Sequence, residues 1–137
     1  MNDYQSSIKL ASLYVLFFPE CGFFKVGKAK NVYARCQQLK HYWGDPDYHE
    51  SLEWIAPEST VFQLEKALHL LAKKNFAASV FKGDGHTEFF EMAALDLVLH
   101  AIALYVRAGV LPERVKKGIN LHGRHPVPAK PPWDYFR

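Results

Sequence analysis

The chain has 137 residues, 49% of them hydrophobic and 15% aromatic, with a formal charge of +3. That length suits one domain, and the apolar content can fill a core, so disorder of the whole chain is excluded and no staple is required. Two cysteines, Cys21 and Cys36, are too few for a disulfide framework and their spacing is no zinc motif, so they read as idle thiols of a reducing cytoplasm.

In chain order, residues 1–9 lack the basic region, apolar run and cleavage site of a secretory leader, so the chain is expected to be soluble and cytoplasmic. Residues 12–18, SLYVLFF, are β-branched and aromatic and predict a strand. Pro19-Glu20-Cys21-Gly22 is a turn, and residues 23–27 return as the second strand of a hairpin. Asn31 is a good N-cap for a helix over residues 32–39, and residues 42–49, rich in Gly, Asp and Pro, read as a loop. Residues 51–56 predict a third strand. Ser59 or Thr60 then caps a helix over residues 61–74, where Val61, Leu64, Leu68 and Leu71 recur at helical spacing. Residues 82–85 form a turn and residues 86–90 a short extended piece. Residues 92–107 are a strongly apolar helix ended by Gly109; Asp96 and His100 interrupt it, and it is too short for a membrane span. Residues 112–117 predict a short helix stopped by Gly118, and the proline-rich stretch beyond Asn120 an irregular arm.

Charge is unevenly spread. Residues 1–60 hold six basic and seven acidic side chains and residues 61–111 five of each, but residues 112–137 hold six basic against two acidic. Residues 21–41 carry Lys25, Lys28, Lys30, Arg35 and Lys40 with no acid. Such a block is either a solvated surface or a seat for a phosphate backbone.

Three clusters carry candidate chemistry. The hairpin and helix place Tyr14 on one strand, Lys25 on the next and Arg35 one turn into the helix, around a helix N-terminus that favours phosphate. Glu65 and His69, four residues apart on one helix face, form either an exposed surface pair or a carboxylate placed to hold a divalent cation. Residues 83–92, GDGHTEFFEM, bring His86, Glu88 and Glu91 around two aromatics, or are simply a loop entering a core strand with Phe89 or Phe90 buried.

In order and spacing, Tyr14, Lys25-Val26-Gly27, Lys28/Lys30/Asn31, Arg35, Glu65/His69 and Glu88-Phe89-Phe90 resemble the GIY-YIG nuclease family, most closely its bacteriophage-encoded branch, over residues 11–92. The resemblance implies an α/β (α+β) fold with a small, mostly antiparallel sheet flanked by helices. With the elements read above, the chain divides into a GIY-YIG-like nuclease domain with a C-terminal packing helix over residues 1–110, and a short helix with a basic, proline-rich arm over residues 111–137. It implies that Tyr14 helps activate the attacking water, that Arg35 steadies the scissile phosphate, and that Glu65 binds Mg²⁺ or Mn²⁺ as a Lewis acid. Lys25 stands where the family has its second tyrosine, as it often does in the phage branch. His69 and Glu88 are placed as supporting residues. Lys28, Lys30, Lys40, His41, Arg124 and Lys130 are read as contacts to DNA.

The leading reading is a metal-dependent endonuclease acting on DNA. A nucleic-acid-binding module of the same fold without cleavage is the second, and an interaction domain that docks a partner on its apolar C-terminal helix the third.

Overall fold

The computed structural model describes residues 8–20, 22–73, 89–113 and 118–119. A four-stranded antiparallel sheet in the order β3-β1-β2-β4 lies between helices, an α+β fold as expected. Strand β1 (Leu10–Phe18) and β2 (Phe23–Ala29) form the hairpin, each longer than the sequence reading by two residues at one end. The turn closes through the Gly22 N–H, which donates to the Phe18 carbonyl at 3.0 Å. Helix α1 (Val32–Trp43) follows, then β3 (Leu52–Pro57), α2 (Glu58–Leu71), the short β4 (Phe89–Glu91), a single 3₁₀ turn (Met92–Ala94) and α3 (Leu95–Arg107).

Central β1 is buried on both faces, which is why its sequence is almost continuously apolar. Leu13 and Val15 point into the core beneath α2 and α3, with Phe24, Val26, Trp54, Phe90, Val98 and Ile102. Tyr14, Leu16 and Phe18 point the other way, into a smaller cluster with Val32 and Cys36 of α1, Phe89 and Ile119. The alternation of a pleated strand thus sorts neighbouring residues into two separate cores.

Helix boundaries depart from the sequence reading for local reasons. Asn31 does cap α1, its side chain accepting from the Ala34 N–H at 2.9 Å. The helix runs through Tyr42 and Trp43, because the residue that stops it is Gly44, in the left-handed region at φ 77°. Helix α2 is capped by neither Ser59 nor Thr60. It starts directly from β3 at Glu58, whose N–H donates to the Lys9 carbonyl at 2.8 Å, and it ends at Leu71 instead of reaching residue 74. Asp96 in the first turn of α3 and Arg107 in the last complement its dipole.

Gly118, expected only to stop a helix, has a structural part of its own. It has φ 98°, and a Cβ there would meet the His49 and Tyr48 carbonyls at 3.2 and 3.3 Å. That close approach lets the Ile119 N–H donate to the Tyr48 carbonyl at 2.9 Å and seats Ile119 in the second core. Among the described residues no helix is long and apolar enough to cross a membrane. The expected turn over residues 82–85, most of the short helix over residues 112–117, the arm beyond Asn120, and Cys21, Glu88, Arg124 and Lys130 lie outside the described residues.

Candidate nucleic-acid site

The site is built where the hairpin leads into α1. Among the described residues, β4 pairs with β2 from Phe23 to Lys25. On the α1 side of the sheet, Leu16 is the register partner of Lys25 and Tyr14 that of Gly27. Tyr14 and Lys25 are therefore diagonal neighbours on one face. The Lys25 Nζ donates to the Tyr14 Oη at 2.8 Å, and both side chains are at most 1% exposed.

Burial governs the protonation of this pair. It drives the Lys25 pKa well below the ordinary lysine value, and the Arg35 guanidinium pushes it the same way, so the neutral amine is favoured. Burial raises the Tyr14 phenol far above its usual value, partly opposed by Arg35, which keeps the proton on oxygen. Cys36, beneath the same cluster, has its thiol pushed up to about 12 by burial. It is a buried free thiol with no thiolate character, in keeping with an idle cysteine.

The other half of the site comes from the opposite face. Lys28 projects toward α2 and forms an ion pair with Glu65, Nζ to Oε1, at 3.3 Å. Glu65 is 8% exposed, so the expectation of an exposed Glu65–His69 pair is corrected. His69 does not reach for Glu65 either: its Nε2 lies 2.7 Å from the Val26 carbonyl and, because a carbonyl only accepts, carries the proton. Its ring packs 5.3 Å from that of Phe90. The histidine thereby ties α2 to the backbone of β2.

Above these groups lies an open cleft lined by Lys28, Lys30, Asn31, Arg35 and Gln38 at the N-terminus of α1. The charges of Arg35, Glu65 and Lys28 all bear on Lys25, so the structure brings Tyr14, Lys25, Lys28, Arg35 and Glu65 into one electrostatic unit. Lys40 and His41 are not part of it. They occupy the last turn of α1, roughly 13 Å along the helix from its cap, and His41 packs on Tyr42 with ring centroids 4.0 Å apart. Glu91 is exposed on β4.

Two features escaped the sequence reading. Lys28 was assigned to DNA alone, and its pairing with Glu65 spans 37 residues of chain. Phe62, off the Val61/Leu64/Leu68 stripe of α2, is 43% exposed, with Lys28 Nζ 4.4 Å and Lys66 Nζ 4.7 Å from its ring centroid. Its signal was an aromatic on the polar side of an amphipathic helix.

The donor set is tested against a divalent cation by its chemistry. Among the described residues no group of three or more His, Cys, Asp or Glu gathers into a cage. Mg²⁺ is commonly held by one or two carboxylates, with waters and substrate phosphate completing its shell. Glu65, a single carboxylate paired with the cleft residue Lys28, fits that pattern.

No curated protein and no solved structure matches the chain significantly. A family model does match: the T5orf172 domain, over residues 12–106. This corrects the expected membership, since T5orf172 is a different family from the GIY-YIG nucleases. It also corrects the extent, because the match runs past Met92 through almost all of α3. The chain belongs to the T5orf172 domain family, a nuclease-like, DNA-binding domain family, and its function is accordingly related to nucleic acid.

Proposed function

We propose that this domain hydrolyses phosphodiester bonds of DNA with the help of a divalent cation. The observation that carries the reading is the buried Lys25–Tyr14 hydrogen bond, with Lys25 biased to the neutral amine and within the electrostatic reach of Arg35, which lines a basic cleft at a helix N-terminus. A neutral lysine costs desolvation to maintain and is available as a base. In the proposed step the sealed pair opens to admit the attacking water, the Lys25–Tyr14 hydrogen bond reverses, and the water gives its proton to the Tyr14 Oη as Tyr14 gives its own to the Lys25 Nζ, so the phenol never holds a full charge. The ammonium that results adds positive charge beneath the phosphate as negative charge develops on it.

Arg35 holds the non-bridging phosphate oxygens through its planar fork, and the free N–H groups of the first turn of α1 assist. Lys28 and Lys30 receive the flanking phosphates. Glu65 is the residue that would hold Mg²⁺ or Mn²⁺, and a cation bound there acts as a Lewis acid on the phosphate and leaving oxygens. Incubating the protein with labelled single- and double-stranded DNA, with Mg²⁺ or Mn²⁺ and with EDTA, tests the reading. Metal-dependent products that Glu65→Gln and Arg35→Ala abolish are expected; products unaffected by either substitution overturn it.

A second reading is favoured by one observation. Tyr14 and Lys25 are sealed from solvent and Glu65 is already paired with Lys28, an arrangement equally suited to a rigid binding module without cleavage. Salt-sensitive DNA binding in EDTA, with no product under any metal, would select that reading.

A further inference from the structure

Phe62 sits near the start of α2, and the buried side of that helix is formed by Val61, Leu64, Glu65 and Leu68. Single exposed apolar side chains are ordinary on protein surfaces. This one differs in its company. Two ammonium groups from two different elements, Lys28 of β2 and Lys66 of α2, lie 4.4 and 4.7 Å from its ring centroid. Lys28 is also the residue that pairs with Glu65 and lines the basic cleft. The exposed ring is therefore continuous with the phosphate site.

From this juxtaposition we infer that Phe62 is a stacking platform for an unpaired nucleobase adjoining the phosphate held in the cleft. The inference rests on the phosphodiester reading above and names its substrate class: strands that offer a free base, such as single strands, frayed ends and flaps. A base stacks on an aromatic face through its own π-face whatever its identity. An ammonium over an exposed ring is held weakly, whereas one facing a phosphate forms a charge-assisted hydrogen bond. When a strand arrives, Lys28 and Lys66 turn to the phosphates on either side and the base takes the ring face they leave. A base inside a duplex is already stacked on its neighbours and has no face to give, so the platform discriminates by pairing state.

Fluorescence anisotropy in EDTA, which prevents cleavage, tests this with two probes: a labelled oligothymidylate strand and a labelled hairpin duplex. Phe62→Ala and Phe62→Leu are expected to weaken strand binding on the order of tenfold or more while leaving duplex binding and the melting temperature unchanged. Phe62→Trp is expected to keep strand affinity. An abasic site in the strand should cost the wild type a similar factor and cost Phe62→Ala nothing further. Strand binding by Phe62→Ala equal to the wild type overturns the inference. So does an equal loss for strand and duplex, which would make the ring a support for the lysines. Full affinity in Phe62→Leu also overturns it, since apolar cover would then suffice. If Phe62→Ala is silent while Arg35→Ala weakens both probes, the platform falls and the cleft reading stands; if the wild type binds neither probe, both fall.

Discussion

Lys25 and Lys28 stand three residues apart on β2 and project to opposite sides of one sheet. Lys25 is fully buried against Tyr14 and Phe89, with Nζ 5.1 and 5.7 Å from the two ring centroids. Its hydrogen-bond partner is a neutral phenol and its nearest influential charge, Arg35, is repulsive. Lys28 has about a third of its side chain in solvent and faces a carboxylate. The same functional group is thereby biased to a neutral amine in one place and ion-paired with a carboxylate in the other. Burial dominates at Lys25, whereas at Lys28 partial exposure is combined with an ion pair. Arg35 joins the two halves, depressing Lys25 from below the cleft whose rim it shares with Lys28.

The largest effect is expected where the halves meet. Arg35→Ala should lower cleavage on the order of 10²- to 10³-fold, about 3–4 kcal/mol of transition-state stabilisation, the usual cost of one positioned donor. The side chain is only half-buried, so circular dichroism should show an unchanged fold. Activity within tenfold of the wild type would remove Arg35 from the site. Glu65→Gln should come next: it keeps the shape of the side chain but weakens Mn²⁺ binding, read by calorimetry, together with metal-dependent cleavage. Unchanged Mn²⁺ affinity would move the cation to another carboxylate.

Both residues were singled out in the sequence, but their surroundings were not legible there. Strand β1, the hairpin, the Asn31 cap and the apolar α3 follow from local chemistry, and each is close to where periodicity and turn residues put it. The end of α1 was misread because the Gly-Asp-Pro cluster was counted from Tyr42, although only Gly44 supplies the left-handed turn. Helix α2 begins without a side-chain cap because its first N–H finds a carbonyl across the sheet, at Lys9. The Lys28–Glu65 and His69–Val26 contacts span 37 and 43 residues, and no helical or strand period encodes them. Family membership was misread for a related reason. Short motifs over residues 11–92 describe a strand-turn-helix phosphate seat, whereas the family match extends to residue 106 and takes in the helix that closes the larger core.

The buried side of the comparison is broken by Lys25→Met, which removes the amine while keeping the length of the side chain. Cleavage should be lost. The stability difference should also change sign-consistently with pH. The folded-state pKa of Lys25 lies below that of the unfolded chain, near 10.4. Between those two values the unfolded state binds the extra proton, so wild-type stability rises with pH. Relative to Lys25→Met, the wild type should gain up to about 1.4 kcal/mol per pH unit toward alkaline conditions. Denaturant titrations at several pH values measure this, and parallel pH profiles for the two proteins would show Lys25 to be charged in the fold.

A smaller effect is expected where α2 meets the backbone of β2. His69→Ala leaves the Val26 carbonyl without its partner and should cost about 1–3 kcal/mol of stability. Mn²⁺ affinity should be unchanged, since the imidazole faces the carbonyl and not Glu65. A loss of metal affinity as large as that of Glu65→Gln would make His69 a ligand.

The smallest expected effect belongs to the exposed side of the comparison. The side chains of Lys28 and Glu65 are 34% and 10% exposed, a pair with one partner largely withdrawn from water and the other about a third in it. Solvent screens the lysine, and holding its long side chain in one geometry opposes the Coulomb gain, so a double-mutant cycle of Lys28→Met and Glu65→Gln should give a coupling of about 0.5–1 kcal/mol. The coupling should shrink as salt rises, because the Lys28 end lies within reach of mobile ions. The single changes should be unequal. Removing Lys28 strands a nearly buried carboxylate, whereas removing the charge of Glu65 leaves an ammonium that can turn to water or to the ring of Phe62. Lys28→Met should therefore destabilise more than Glu65→Gln, and the reverse order would mean that Glu65 is solvated well enough to stand alone.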